Sequence, residues 1–224
     1  MSSLILLGLK RWWPIILLLL SACRGSVFGS DSLPAQPPTY KGSIVAMGNS
    51  LTEGLGVAES EAYPAQLERK LQADGHPYQV VNAGISGETS RGALARAEQI
   101  LALEPDIVIL ETGVNDGPQA IPPVITGQNL STLITTFTQN GVIVVLAGMQ
   151  SIQPTDNKDG VLFSAIYPAL AEQHAVIFIP LFLEGVAANP ALNQADGIHP
   201  TAAGYTVIVE QIYPFILQAI DRIE

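Results

Sequence analysis

Five short apolar runs, Ile44–Met47, Tyr78–Asn82, Asp106–Glu111, Val142–Leu146 and Val176–Ile179, recur along the chain with a helix-favouring segment between each pair. Short runs of this kind bounded by Gly, Pro or Asn suit strands. Strands separated by helices pair in parallel, because each crossover returns the chain to the same end of the sheet. The continuous apolar centre of Asp-Ile-Val-Ile-Leu-Glu (106–111) requires cover on both faces. Helices are expected over Ser60–Ala73, from a cap at Thr89 or Ser90 to Leu103, around Gln128–Thr138, over Gly160–Gln173 and over Ala202–Ile220. Pro214 is expected to kink or interrupt the last of these. The pattern predicts one α/β domain, a three-layer α/β/α sandwich around a mainly five-stranded parallel sheet. In such a sheet the loops that leave the strands gather at one edge, where ligands bind.

Charge narrows the partners. Twenty Asp and Glu stand against ten Lys and Arg, so no basic surface is available for nucleic acid or for anionic lipid. Membrane attachment has to come from the N-terminus. There Lys10 and Arg11 precede the apolar run Trp12–Leu20, which ends in Ser21-Ala22-Cys23. A basic region, a short apolar core and small residues make an export signal, expected over residues 1–22. Leu20-Ser21-Ala22-Cys23 resembles a bacterial lipobox, which implies lipidation at Cys23. As the chain's one cysteine, Cys23 forms no internal disulfide. Residues 23–42, rich in Gly, Ser and Pro, read as a flexible tether with a reach of about 25 Å. The folded domain is then expected over 43–224, exported to the cell envelope on a lipid anchor and acting as a monomer.

The least ordinary sequences are the loops after the first three strands. The first run breaks into Gly48-Asn49-Ser50-Leu51, and a glycine there lets the backbone turn. A serine just past the turn projects from the sheet edge with its own N–H free to meet an anion. Alone, Ser50 reads as a helix cap or turn residue. A serine hydroxyl needs a neighbouring base, and histidine supplies one near neutral pH. Of three histidines, His76 sits in a Gly-His-Pro turn and His174 ends a helix. His199 follows Asp196 by three residues, with Gly197 between, so one loop can present a carboxylate behind an imidazole. Alone, this segment reads as a helix-start turn capped by Asp196, Asn115 as a turn residue, and Gly84 and Gly87 as sharp bends. Together, in order and each after a strand, they point to acyl-transfer chemistry.

These residues resemble the four blocks of the SGNH (GDSL-type) hydrolases. The blocks stand here as Gly48-Asn49-Ser50-Leu51, Gly87 within Asn82–Thr89, Gly113–Asp116, and Asp196–His199. Tyr63-Pro64-Ala65 and Phe163–Pro168 add a likeness to the bacterial thioesterase I/lysophospholipase/arylesterase group. The resemblance implies a flavodoxin-like fold, Ser50 as nucleophile, His199 as base and acid, and Asp196 as its orienting carboxylate. It implies an oxyanion hole of the Ser50 and Gly87 N–H groups and the Asn115 amide, without metal or cofactor. The expected function is a serine esterase acting on small acyl esters, including aryl esters, lysophospholipids and thioesters. A carbohydrate O-acetylesterase and a catalytically silent envelope lipoprotein are the alternatives. Asn49 stands where the family has aspartate, and loss of that charge is expected to leave an active enzyme with a slightly more acidic pH limb. Asp116–Pro123 is expected to form part of the acyl-pocket rim.

Overall fold

The computed structural model describes residues 39–150 and 158–223. Residues 1–22, expected as an export signal, Cys23 and nearly all of the expected tether lie outside the described residues. Five strands, β1 (Gly42–Gly48), β2 (Tyr78–Gly84), β3 (Ile107–Glu111), β4 (Ile143–Ala147) and β5 (Ile177–Ile179), form one parallel sheet in the order β2-β1-β3-β4-β5. Among the described residues six α-helices connect them, α1 (Ser50–Glu53), α2 (Tyr63–Ala73), α3 (Ser90–Ala95), α4 (Ala97–Leu101), α5 (Pro123–Gln139) and α6 (Lys158–His174), and α7 (Ala202–Asp221) follows β5. Helix α2 packs with α7, and α3, α4 and α6 pack with α5, giving the outer layers of an α/β/α sandwich.

The central strands explain their own sequences. Ile44–Met47 of β1 and Ile107–Leu110 of β3 are wholly buried, as unbroken apolar runs must be when helices cover both faces. Leu67 and Leu71 of α2 and Ile208, Ile212 and Ile216 of α7 cover the sheet with residues spaced at helical intervals.

Three departures from the sequence pattern have local causes. Helix α7 continues through Pro214, because its apolar face runs on past the proline to Ile216, Ala219 and Ile220. Packing on that scale outweighs a proline penalty of about 3 kcal/mol. The helix expected from Thr89 to Leu103 is broken at Arg96, whose φ of −112° and ψ of 14° leave the helical range. Helix α5 begins at Pro123, well before Gln128, because proline suits the first helical position.

The strand order reverses between β1 and β3, which leave the sheet side by side. Such a switch point opens a crevice at the carboxyl ends of the strands. Gly48, Glu111 and Ala147 end β1, β3 and β4 around it.

Candidate active site

Ser50 is the first residue of α1, immediately beyond β1. Asn49 caps the helix, its Oδ1 accepting from Leu51 N–H at 3.0 Å. As the first helical residue, Ser50 has an N–H with no intrahelical acceptor. Two glycines allow this placement. A Cβ on Gly48 would lie 2.6 Å from the Glu111 carbonyl oxygen, and one on Gly84 would lie 2.1 Å from Glu53 N.

His199 and Asp196 arrive from the segment between β5 and α7. His199 Nε2 lies 2.9 Å from Ser50 Oγ, and His199 Nδ1 lies 2.6 Å from Asp196 Oδ2. Asp196 Oδ1 also accepts from the N–H groups of Ile198 (2.9 Å) and His199 (3.0 Å). The bond from the imidazole, helped by those two, holds the Asp196 carboxyl well below the usual carboxylate range. An ionised Asp196 makes Nδ1 the protonated ring nitrogen. Nε2 of a neutral His199 is then left to accept from the Ser50 hydroxyl.

The second loop turns over Ile85–Glu88. Ile85 N–H donates to the Gly48 carbonyl (2.9 Å) and Glu88 N–H donates to the Ile85 carbonyl (3.1 Å). Gly87, at φ +76°, has an N–H that meets no acceptor among the described residues. Asn115, in a 3₁₀ turn beyond β3, donates Nδ2 to the Glu88 carbonyl at 2.9 Å, which leaves its second amide hydrogen unused. Glu88 is itself gripped by Arg96, whose Nε and Nη2 lie 2.7 and 2.6 Å from its carboxylate. The same Nη2 reaches the Gly48 carbonyl at 3.3 Å. One buried ion pair therefore ties the first loop to the second, and the neighbouring Glu88 carbonyl ties the second to the third.

Ser50, Asn115 and His199 line a cleft of about 470 Å³. Its walls are apolar, built by Leu51, Val114, Met149, Phe182, Leu183 and Ile198. This corrects the expected rim. Among Asp116–Pro123 none lines the cleft; Pro122 and Pro123 start α5 instead, and Asp116 is buried under bonds from Ser90 and Thr126. Leu51, Val114 and Ile198 come from the sequence blocks themselves, and the rest of the wall from the end of β4 and the segment after β5, apolar stretches that carry no motif.

Glu111 also carried no signal. Wholly buried, it accepts from Asn49 N–H (3.2 Å), Asn49 Nδ2 (2.6 Å) and the Thr52 hydroxyl (2.8 Å). Burial pushes its carboxyl up to about 7, against the pull of those donors. The unusual Asn49 thus faces a buried carboxylate.

Comparisons with known proteins bear on the family and the fold. The profile of the GDSL-like Lipase/Acylhydrolase family matches residues 46–207. The chain is 36% identical to Esterase TesA of Pseudomonas aeruginosa over 198 residues, covering 88% of this chain and 96% of that one. It is 33% identical to the thioesterase 1/protease 1/lysophospholipase L1 of Escherichia coli over 179 residues, 78% of this chain and 85% of that one. A crystal structure of TesA superposes with a TM-score of 0.74 at 36% identity, over 79% of this chain and 99% of the other. With the four sequence blocks gathered at the switch point of a 2-1-3-4-5 sheet, the chain belongs to the GDSL-like lipase/acylhydrolase family.

Proposed function

We propose that the protein is a serine esterase that hydrolyses acyl esters through a covalent acyl-enzyme on Ser50. The observation that carries this reading is the unbroken chain from Ser50 Oγ to His199 Nε2 (2.9 Å) and from His199 Nδ1 to Asp196 Oδ2 (2.6 Å). Ser50 Oγ attacks the ester carbonyl carbon while His199 Nε2 takes the hydroxyl proton. The carbonyl oxygen becomes an oxyanion, held by the N–H groups of Ser50 and Gly87 and by the Asn115 amide. As the tetrahedral species collapses, His199 returns the proton to the departing alcohol. A water molecule then attacks the acyl-enzyme, His199 again accepting and returning the proton, and the acid leaves. Asp196 stabilises the imidazolium in both halves.

The cleft supports the substrate class. Apolar walls and a volume of about 470 Å³ suit an acyl chain longer than acetyl. The names of the relatives extend the proposal to lysophospholipids and thioesters. The N-terminal sequence supports export and lipidation at Cys23, which holds the domain near the membrane. No helix among the described residues is long and apolar enough to cross a membrane.

Hydrolysis of p-nitrophenyl esters from acetyl to dodecanoyl, with Ser50→Ala as control, tests the reading. Turnover that disappears in the variant and peaks at medium chains is expected. Turnover confined to acetyl would redirect the assignment to a deacetylase. Equal inertness of both proteins on every ester would overturn it.

A further inference from the structure

Glu53 lies outside the four sequence blocks. It ends α1, three residues after Ser50, and its side chain is exposed. Its carboxylate nevertheless crosses to the second loop. There Oε2 accepts from Ser86 N–H at 2.9 Å and from the Ser86 hydroxyl. The Glu53 carbonyl accepts from Asn82 Nδ2 at 3.2 Å. Beneath both bonds, the backbone of Glu53 sits where a side chain on Gly84 would be, 2.1 to 2.6 Å from the missing Cβ. The nucleophile helix and the second loop are therefore joined at three levels through one residue.

What this residue holds is a β-turn. Ile85–Glu88 is closed by the Glu88 N–H to Ile85 carbonyl bond of 3.1 Å. Gly87 has φ +76°, while Ser86 is not among the residues with positive φ. That combination defines type II. Types I and II differ in a flip of the central peptide, here the Ser86 carbonyl with the Gly87 N–H. Turn type therefore decides on which side the Gly87 N–H is presented. Glycine tolerates both, so the turn's own sequence leaves the choice open. The far end is fixed by Arg96 on the Glu88 side chain and by Asn115 on the Glu88 carbonyl. At the near end the Glu53 carboxylate takes both donors of Ser86 in charge-assisted bonds.

We propose that Glu53 is a positioning residue that latches the Ser86–Gly87 peptide to the nucleophile helix, keeping the Gly87 and Ser50 N–H groups aimed at one oxyanion. This rests on the reading of Gly87 as an oxyanion donor. It acts through the turn and touches no substrate, so its loss falls on turnover more than on substrate binding.

The test uses the purified protein and its Glu53→Ala, Glu53→Gln, Ser86→Ala and Ser50→Ala variants. Two readouts are steady-state hydrolysis of p-nitrophenyl butyrate and amide hydrogen exchange of residues 85–88. Glu53→Ala is expected to lower kcat about tenfold with KM within about twofold, the pattern of a misaimed oxyanion donor. Exchange over 85–88 is expected to rise in the same variant. Glu53→Gln keeps an acceptor oxygen in place and should recover most of kcat; Ser86→Ala, which keeps its N–H, should lose less than Glu53→Ala. Wild-type kcat and exchange in Glu53→Ala would overturn the latch. So would a loss that Gln does not rescue and that follows a drop in Tm. If Ser50→Ala remains as active as wild type, the esterase mechanism on Ser50 fails, and exchange over 85–88 still decides whether Glu53 holds the turn.

Discussion

The two halves of the proposed catalytic pair, Ser50 and His199, are held by different physics. Ser50 is placed by the sheet. It follows the interior strand β1, and its neighbours Asn49 and Thr52 bond to Glu111, more than fifty residues away in sequence. Asp196 and His199 lie in an irregular segment between β5 and α7, and the bonds that shape it are short in range. Asp196 accepts from residues two and three positions on, and Gln194 N–H closes the turn on the His199 carbonyl at 2.8 Å. The placement of Ser50 is thus a product of global folding and that of His199 a product of local geometry. Damage on the serine side should appear as lost stability, and damage on the histidine side as lost turnover.

The largest effect is expected on the histidine side. Asp196→Ala should lower kcat by about 10³- to 10⁴-fold, since the imidazole loses its tautomer and the partner of its positive charge. Asp196 is an exposed loop residue, so Tm should hardly change. A large fall in Tm would break the contrast. On the serine side, Gly48→Ala forces a methyl to within 2.6 Å of the Glu111 carbonyl oxygen and 2.0 Å of Thr52 Oγ1. The expected loss is about 3 kcal/mol in urea unfolding, with activity lost alongside, because backbone must move to relieve the overlap. Unchanged stability would mean that β1 and β3 can separate without penalty.

The same contrast governs what was legible in the sequence. Asp-x-x-His can be read because its geometry lies within four residues, and the structure returns it intact as a 2.6 Å contact. The strands could be read because full burial leaves an unbroken apolar run, as in Ile107–Leu110. Glycine at 48 and 84 announced a turn, but what it made room for, the Glu111 carbonyl and the Glu53 backbone, lies elsewhere in the chain. Glu111 looked like the end of a strand, and nothing local shows that its carboxylate turns inward to Asn49 and Thr52. The pocket walls were misplaced for the same reason. Met149 and Phe182 are ordinary apolar residues, given a role only by the order β3-β4-β5.

The serine side should carry a pH-dependent stability between about pH 4.5 and pH 7. Burial pushes the folded carboxyl of Glu111 up to about 7 from an ordinary glutamate value of 4.5. The folded protein then binds a proton that the unfolded chain has released, so stability is full below about pH 4.5 and declines as pH rises toward 7. The expected loss is about 2 kcal/mol between pH 5 and pH 7, read as a falling urea midpoint. Glu111→Gln should flatten that slope. Asn49→Asp should steepen it, because a second carboxylate would replace the amide now 2.6 Å from Glu111 Oε1. A wild-type slope in Glu111→Gln would assign the dependence to another group.

The smallest expected effect lies where the two halves meet. Gln194 Nε2 donates to the Leu55 carbonyl at 2.7 Å and to the Pro200 carbonyl at 3.0 Å, so one side chain spans from the histidine segment to the loop beyond α1. A Cβ on Gly56 would lie 2.1 Å from Gln194 Oε1, so the two segments approach closely at the amide. If local bonds alone place His199, removing this tie should matter little. Gln194→Ala is therefore expected to lower kcat only about two- to threefold and stability by about 1 kcal/mol, the value of one or two neutral hydrogen bonds. A loss approaching that of Asp196→Ala would show that the histidine segment is docked onto the serine side, and that His199 is positioned by the global fold after all.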